Sequence, residues 1–149
     1  MAYNYNQDWY VLKNPDKYIG KTPPYYRSSY ELKFFEWADT RSNVISWGSE
    51  TVVVPYFNPI KKRQARYYVD VIITYLNKNG DTITEIIEIK PLAQCSRPKK
   101  RGGKKAEKTF LKECVDWDTN NAKWAAAEKY ARARGWIFRI ITEESLFRG

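Results

Sequence analysis

Apolar and polar positions alternate in two runs, 67–75 and 82–90, both rich in valine, isoleucine, tyrosine and threonine. A period of two with that composition predicts two strands, joined through Asn77-Lys78-Asn79-Gly80-Asp81. Over 29–39 the apolar residues follow a helical period instead, and Ser28-Ser29-Tyr30-Glu31 supplies a capping box, so a short helix is expected there. Segments 44–47 and 51–57 read as further strands, the second ending at Asn58-Pro59 ahead of a basic turn at 61–66. After Pro91 the basic Gly/Pro segment 97–105 reads as a mobile loop, and 106–114 as a short helix. Thr119 or Asn120 can cap a longer helix over 122–134 that Gly135 stops, and 136–142 reads as a last strand. Residues 1–27, interrupted by Pro15, Pro23 and Pro24, read as an extended arm of the kind that wraps a partner or its own core. This order predicts an α/β (α+β) sandwich, one central mixed sheet flanked by helices, in a single domain spanning 1–149.

Three charges interrupt the apolar strands and need a reason. Asp70 lies on the first, Glu88 and Lys90 on the second, and the turn between them decides whether they meet. A two-residue turn at Asn79-Gly80 would set Asp70 against Ile89 and send Glu88 to the other face. A type I turn over Asn77-Lys78-Asn79-Gly80, with Gly80 left-handed, would pair Asn77 with Asp81 and put Asp70 opposite Glu88, with Lys90 following on the same face. Asparagine first and glycine fourth suit the second turn, which is therefore the expected one. Two facing carboxylates beside an ammonium suit magnesium, with manganese as a substitute, and phosphodiester hydrolysis. The competing account is a cross-strand ion pair on a solvated face.

Composition narrows the chemistry further. With 149 residues, 43% of them hydrophobic, the chain can bury a core. It contains no histidine, which removes Ser-His-Asp hydrolysis, His-metal nucleases, zinc deaminases and histidine-base ribonucleases. Cys95 and Cys114 form no recognisable zinc or disulfide framework. No run approaches the roughly 20 apolar residues of a membrane span, and 1–6 lack the regions of a signal peptide, so a soluble cytosolic protein is expected. Gly102-Gly103-Lys104-Lys105 lacks the spacing of a phosphate loop, so no nucleotide cofactor is expected. The net charge of +9 is concentrated: Lys61, Lys62, Arg63 and Arg66 give +4, and 97–108 gives +6, carried largely by Arg97, Lys99, Lys100, Arg101, Lys104 and Lys105. Such runs suit a DNA backbone, against the blander account of solvated charge.

Val69-Asp70 and Glu88-Ile89-Lys90 together resemble the motif of the PD-(D/E)xK nuclease superfamily, with Val69 where the proline stands. The resemblance implies a restriction-endonuclease-like core, catalysis by Asp70, Glu88 and Lys90, and a further acidic residue on the preceding helix. Glu31 stands at that place as a catalytic residue and metal ligand beside Asp70 and Glu88, while its other role is the capping box. Lys123 would be a phosphate contact or simply a surface lysine. Tyr26-Arg27-Ser28-Ser29-Tyr30-Glu31, Val54-Pro55-Tyr56, Tyr68-Val69-Asp70, Glu88-Ile89-Lys90-Pro91 and Asn121-Ala122-Lys123-Trp124 resemble, more narrowly, the head-completion nucleases of T-even-like tailed bacteriophages, similar in core to TnsA-type transposon nucleases. That resemblance implies a magnesium-dependent endonuclease acting on packaged DNA ends before tail attachment and leaving a 5′-phosphate and a 3′-hydroxyl. It also implies portal or neck proteins as partners, and a place in the host cytoplasm or on the virion. Two other readings stand beside it: a non-catalytic DNA-binding or neck-assembly protein docking through its tyrosines and tryptophans, and RNA binding through exposed aromatics.

Overall fold

The computed structural model describes residues 7–100 and 102–146. Its centre is a four-stranded sheet in the order β3-β6-β7-β8, formed by β3 (Val44–Ser49), β6 (Val71–Leu76), β7 (Thr82–Ile89) and β8 (Ile137–Ile141). The first three run antiparallel and β8 is parallel to β7, so the sheet is mixed as expected. One face carries Val71, Ile73, Ile87, Ile89 and Ile141, packed against Phe34, Phe35 and Ala38 of α1 (Ser29–Thr40) and against Trp47. The other carries Ile72, Ile86 and Phe138, packed against Ala127 and Ala131 of the helix α2 (Lys104–Ala133). The period of two thus sends alternate residues of the same strands into two separate cores.

Three expectations are corrected. The run 67–75 is not one strand: β5 (Arg63–Tyr68) ends before Val69-Asp70, and β6 begins after it. β5 pairs with β4 (Val53–Asn58) in a separate two-stranded sheet, so Arg63 and Arg66 lie on a strand and only Lys61 and Lys62 occupy the turn. The chain changes sheets at Val69-Asp70 while staying tethered to its neighbour, since Val69 N donates to Val52 O and Glu50 N donates to Asp70 O. The third correction joins the expected loop end and two helices into one helix of 30 residues. Thr119 and Asn120 are therefore interior, where alanines and long side chains around them carry the helix through. Gly135, with φ of +72°, does terminate it, and β8 follows directly.

The arm is fastened to its own core. β1 (Asp8–Trp9) pairs with β2 (Tyr25–Tyr26), and Tyr10 is buried against Phe35 and Trp47. Between them the segment around a 3-10 turn at Pro15–Lys17 lies along β3, with Ile19 N donating to Trp47 O, and its start meets the end of α1. Asp39, fully buried near the end of α1, holds it: its carboxylate accepts from Tyr10 OH at 2.7 Å, Lys13 N at 2.8 Å and Asn14 N at 3.0 Å. Replacing it strands three buried or half-buried donors at once. Asp39→Ala is expected to lower stability by about 3 kcal/mol and to expose residues 10–14 to amide exchange well before the sheet. Denaturant unfolding with hydrogen exchange checks this, and equal protection of both regions would refute the tether.

Candidate active site

The turn that decides the site has the expected geometry. Gly80 N donates to Asn77 O at 3.0 Å, Asn77 N donates to Asp81 O at 2.9 Å, and Gly80 has φ of +81°. The Asn77 side-chain oxygen accepts from Asn79 N and Asp81 N, which fixes the turn further. Thr82 therefore faces Leu76, Ile87 faces Val71, and one step beyond the last pair Asp70 comes opposite Glu88. A hydroxyl contact at 2.9 Å between Thr74 and Thr84 holds the same register from the strand interior.

At the end of this hairpin the carboxylates are tightly constrained. Asp70 Oδ2 accepts from Ile89 N at 2.7 Å. Glu88 is buried, accepts from Tyr67 OH at 2.6 Å on Oε1, and faces Lys90 Nζ at 3.5 Å on Oε2. Lys90 is itself positioned by the sheet, its N–H donating to Ile141 O of β8 at 2.9 Å. Burial raises the Asp70 pKa well above the usual carboxylate range, and repulsion from Glu88 and Glu31 adds to it, while the Ile89 N–H and Lys90 oppose the shift. Tyr67 is also shifted strongly upward, by burial and then by Glu88, so it stays a neutral donor. A desolvated carboxylate pair of like charge is a place where a divalent cation relieves repulsion, and oxygen donors suit magnesium.

Ser28 caps α1 with its side chain, and Glu31 turns its carboxylate back toward the residues before the helix. Ser28 Oγ accepts from Glu31 N at 3.2 Å, and Glu31 Oε1 accepts from Arg27 N at 3.3 Å. Its pKa is raised, chiefly by burial and also by Glu50, with Arg27 and Ser28 pulling it down. Glu31 rides on α1, which packs on the face of the sheet opposite to that of Glu88, and its charge is near enough to Asp70 to add to the upward shift of that carboxyl. Among the described residues, no three histidine, cysteine, aspartate or glutamate side chains converge closely enough to hold a metal ion. The preformed element is the Asp70-Glu88 pair with Lys90.

The basic residues lie on several elements. Lys61 and Lys62 are exposed at the β4–β5 turn, and Arg63 and Arg66 are exposed on β5. Arg97, Lys99 and Lys100 belong to the segment before α2, where both lysines are exposed, Lys104 and Lys105 open α2, and Arg101 lies outside the described residues. Lys123 on α2 is not a bare surface lysine: its Nζ lies 5.6 Å from the Tyr67 ring centre and 6.0 Å from that of Tyr56. Tyr67 itself escaped the sequence reading. A single strand through 67–75 would put it on the opposite face from Asp70, and only the break at Val69-Asp70 brings its hydroxyl to Glu88.

A mixed sheet with helices packed on both faces defines a restriction-endonuclease-like α+β domain. Residues 41–143 match the family described as TnsA-like endonuclease N terminal. The chain is 39% identical over 145 residues to the head completion nuclease of Enterobacteria phage T4, a likeness covering 95% of this chain and 93% of that protein. The chain belongs to the TnsA-like endonuclease family. No solved structure matches it.

The strain in the acidic pair has a measurable consequence. Asp70→Asn keeps an acceptor for Ile89 N–H and removes a desolvated charge facing Glu88. It is expected to raise stability at neutral pH by about 1 kcal/mol, some 3 °C in Tm. The gain should fade at acid pH, where the aspartate is protonated in both states. Thermal unfolding across pH checks it, and a loss of stability at neutral pH would contradict the repulsion.

Proposed function

We propose that this chain is a magnesium-dependent DNA endonuclease of a tailed phage that acts on packaged DNA ends at head completion, before the tail joins. The observation that carries the proposal is the β6–β7 register, which sets Val71 against Ile87 so that Asp70, one residue beyond, comes to Glu88, with Lys90 facing Glu88 at 3.5 Å. Asp70 and Glu88 would hold the cation, with Glu31, whose charge acts on Asp70, as a third ligand. The cation would supply polarisation of the scissile phosphate and a more acidic bound water. The residues do the rest. Tyr67 fixes one Glu88 oxygen and so the direction of its carboxylate. Lys90, whose backbone is locked to β8, presents an ammonium where negative charge grows on the phosphorus. Its charge is better suited to that electrostatic role than to accepting a proton. The likeness to the T4 protein supports phage-infected cells and the assembling virion as the setting, with DNA and neck or portal proteins as partners. Among the described residues no helix is long and apolar enough to cross a membrane.

Cleavage of supercoiled plasmid and of a branched DNA, with magnesium and with chelator, tests this. Wild type should cut only with metal, and Asp70→Ala and Lys90→Ala should each lose at least about a hundredfold in rate. Cutting retained in both variants would sink the assignment. Neutralising Lys99 and Lys100, or Lys61 and Lys62, should instead weaken DNA binding and flatten its salt dependence by about one unit of slope for each phosphate no longer neutralised. An unchanged slope would show that those loops do not touch phosphate.

A further inference from the structure

The outer face of the β4–β5 hairpin is neither charged nor apolar but both in turn. Phe57 is 53% exposed and Tyr68 is 46% exposed, and Arg66 stands between them on the same side of the hairpin. The side chains of the inner face, Val54, Tyr56 and Tyr67, are buried with α2, so the outer face is not needed to form that core. The same surface continues onto the arm. Trp9, 56% exposed, packs edge-on against Tyr25 at 5.0 Å, and a groove of about 470 Å³ runs between these rings, Arg27 and Tyr68. Each arginine lies over a ring: Arg27 is 5.6 Å from the centre of Tyr25 and Arg66 is 5.9 Å from that of Tyr68.

The groove adjoins the segment that carries Asp70. Tyr68 is two residues before Asp70, Glu50 in the groove wall donates its N–H to Asp70 O, and Arg27 binds both Glu31 and Glu50. Glu50 is held with φ of +54°, a conformation that places its side chain against Arg27 and offsets its charge there. Arg66 keeps its positive charge free of any carboxylate among the described ion pairs.

Exposed rings interleaved with guanidinium groups recognise one chemistry in particular: nucleotides that offer a free base face to stack and a phosphate to pair. Inside a duplex each base face is covered by its neighbour and a blunt end frees only the terminal pair, so several separate rings can be stacked upon only by an unpaired strand. We infer that Trp9, Tyr25, Phe57 and Tyr68, with Arg27 and Arg66, bind a single-stranded DNA segment leading into the Asp70-Glu88 pair, so that the preferred substrate is duplex with an adjoining unpaired strand. A protein partner docking through these aromatics would not require an arginine over each ring. The inference rests on the nuclease reading only for what happens after binding.

Binding can be measured apart from cleavage. A fluorescent oligothymidylate of about ten nucleotides is titrated in chelator with wild type and with Trp9→Ala/Tyr68→Ala, whose fold is checked by circular dichroism. The double variant should bind at least about tenfold more weakly, and Arg66→Gln should reduce the salt dependence. In magnesium, wild type should cut a duplex bearing a single-stranded tail faster than the same duplex with blunt ends, and the double variant should lose that preference. Equal binding by the folded double variant overturns the inference. Failure of wild type to bind the oligonucleotide also overturns it and gives the surface to a protein partner. Binding that depends on the rings, without any cutting in magnesium, supports the inference and overturns the nuclease reading instead.

Discussion

Everything at the candidate site depends on the register of one hairpin. The strand period is two, so shortening or lengthening the β6–β7 turn to slip the register by one residue would send Glu88 and Lys90 to the α1 side and leave Asp70 facing Ile89. The chain resists this with several independent constraints. Gly80 occupies a left-handed position that the turn requires, Asn77 ties the turn with its own side chain, and Thr74 meets Thr84 in the strand interior. Burial on both faces adds a larger penalty, because Ile72 and Ile86 belong to one core and Ile73 and Ile87 to the other. A slip would exchange the β7 residues between the two cores, so the register follows from packing as much as from the turn.

The second constraint is the break at Val69-Asp70. By ending β5 and starting β6 in a different sheet, it lets Asp70 leave the ladder and accept the Ile89 N–H with its carboxylate. It also turns Tyr67 inward toward Glu88 and Tyr68 outward toward solvent. Two adjacent tyrosines thereby take different tasks, one orienting an acidic side chain and one offering a free ring. Glu88 is left with the Tyr67 hydroxyl on one oxygen and the Lys90 ammonium facing the other, which explains how the chain's own groups sustain a buried carboxylate.

The hairpin, the turn type, α1 with its Ser28 cap, the end of α2 at Gly135 and the last strand were legible because each rests on local signals: alternation, a cap, a glycine. The pairing of Asp70 with Glu88 was legible too, since counting from Asn77 and Asp81 needs no tertiary information. The corner at Val69-Asp70 was not, because both halves of 67–75 are equally β-prone and nothing local marks a change of sheet. For α2 the misleading signal was Thr119-Asn120, good capping residues that here lie inside a helix sustained by its neighbours. Asp39 and its hold on the arm were invisible for a similar reason: an aspartate near a helix end looks solvated until a segment 25 residues away folds over it.

Acidic and basic side chains around the candidate site differ in their exposure. The acidic residues near the site are buried, capped or paired: Glu88 with Tyr67 and Lys90, Glu31 with Arg27, Glu50 with Arg27. The lysines and arginines of the β4–β5 hairpin, and Lys99 and Lys100 ahead of α2, are exposed. A polyanion reaching these elements would meet exposed cations, while burial leaves the field of the carboxylates least screened. A metal cation entering with the phosphate would find its strongest attraction where two carboxylates face each other, and Lys90 beside them limits how much positive charge the site needs from outside. The facing carboxylates, costly to bury together, would be relieved by a bound cation.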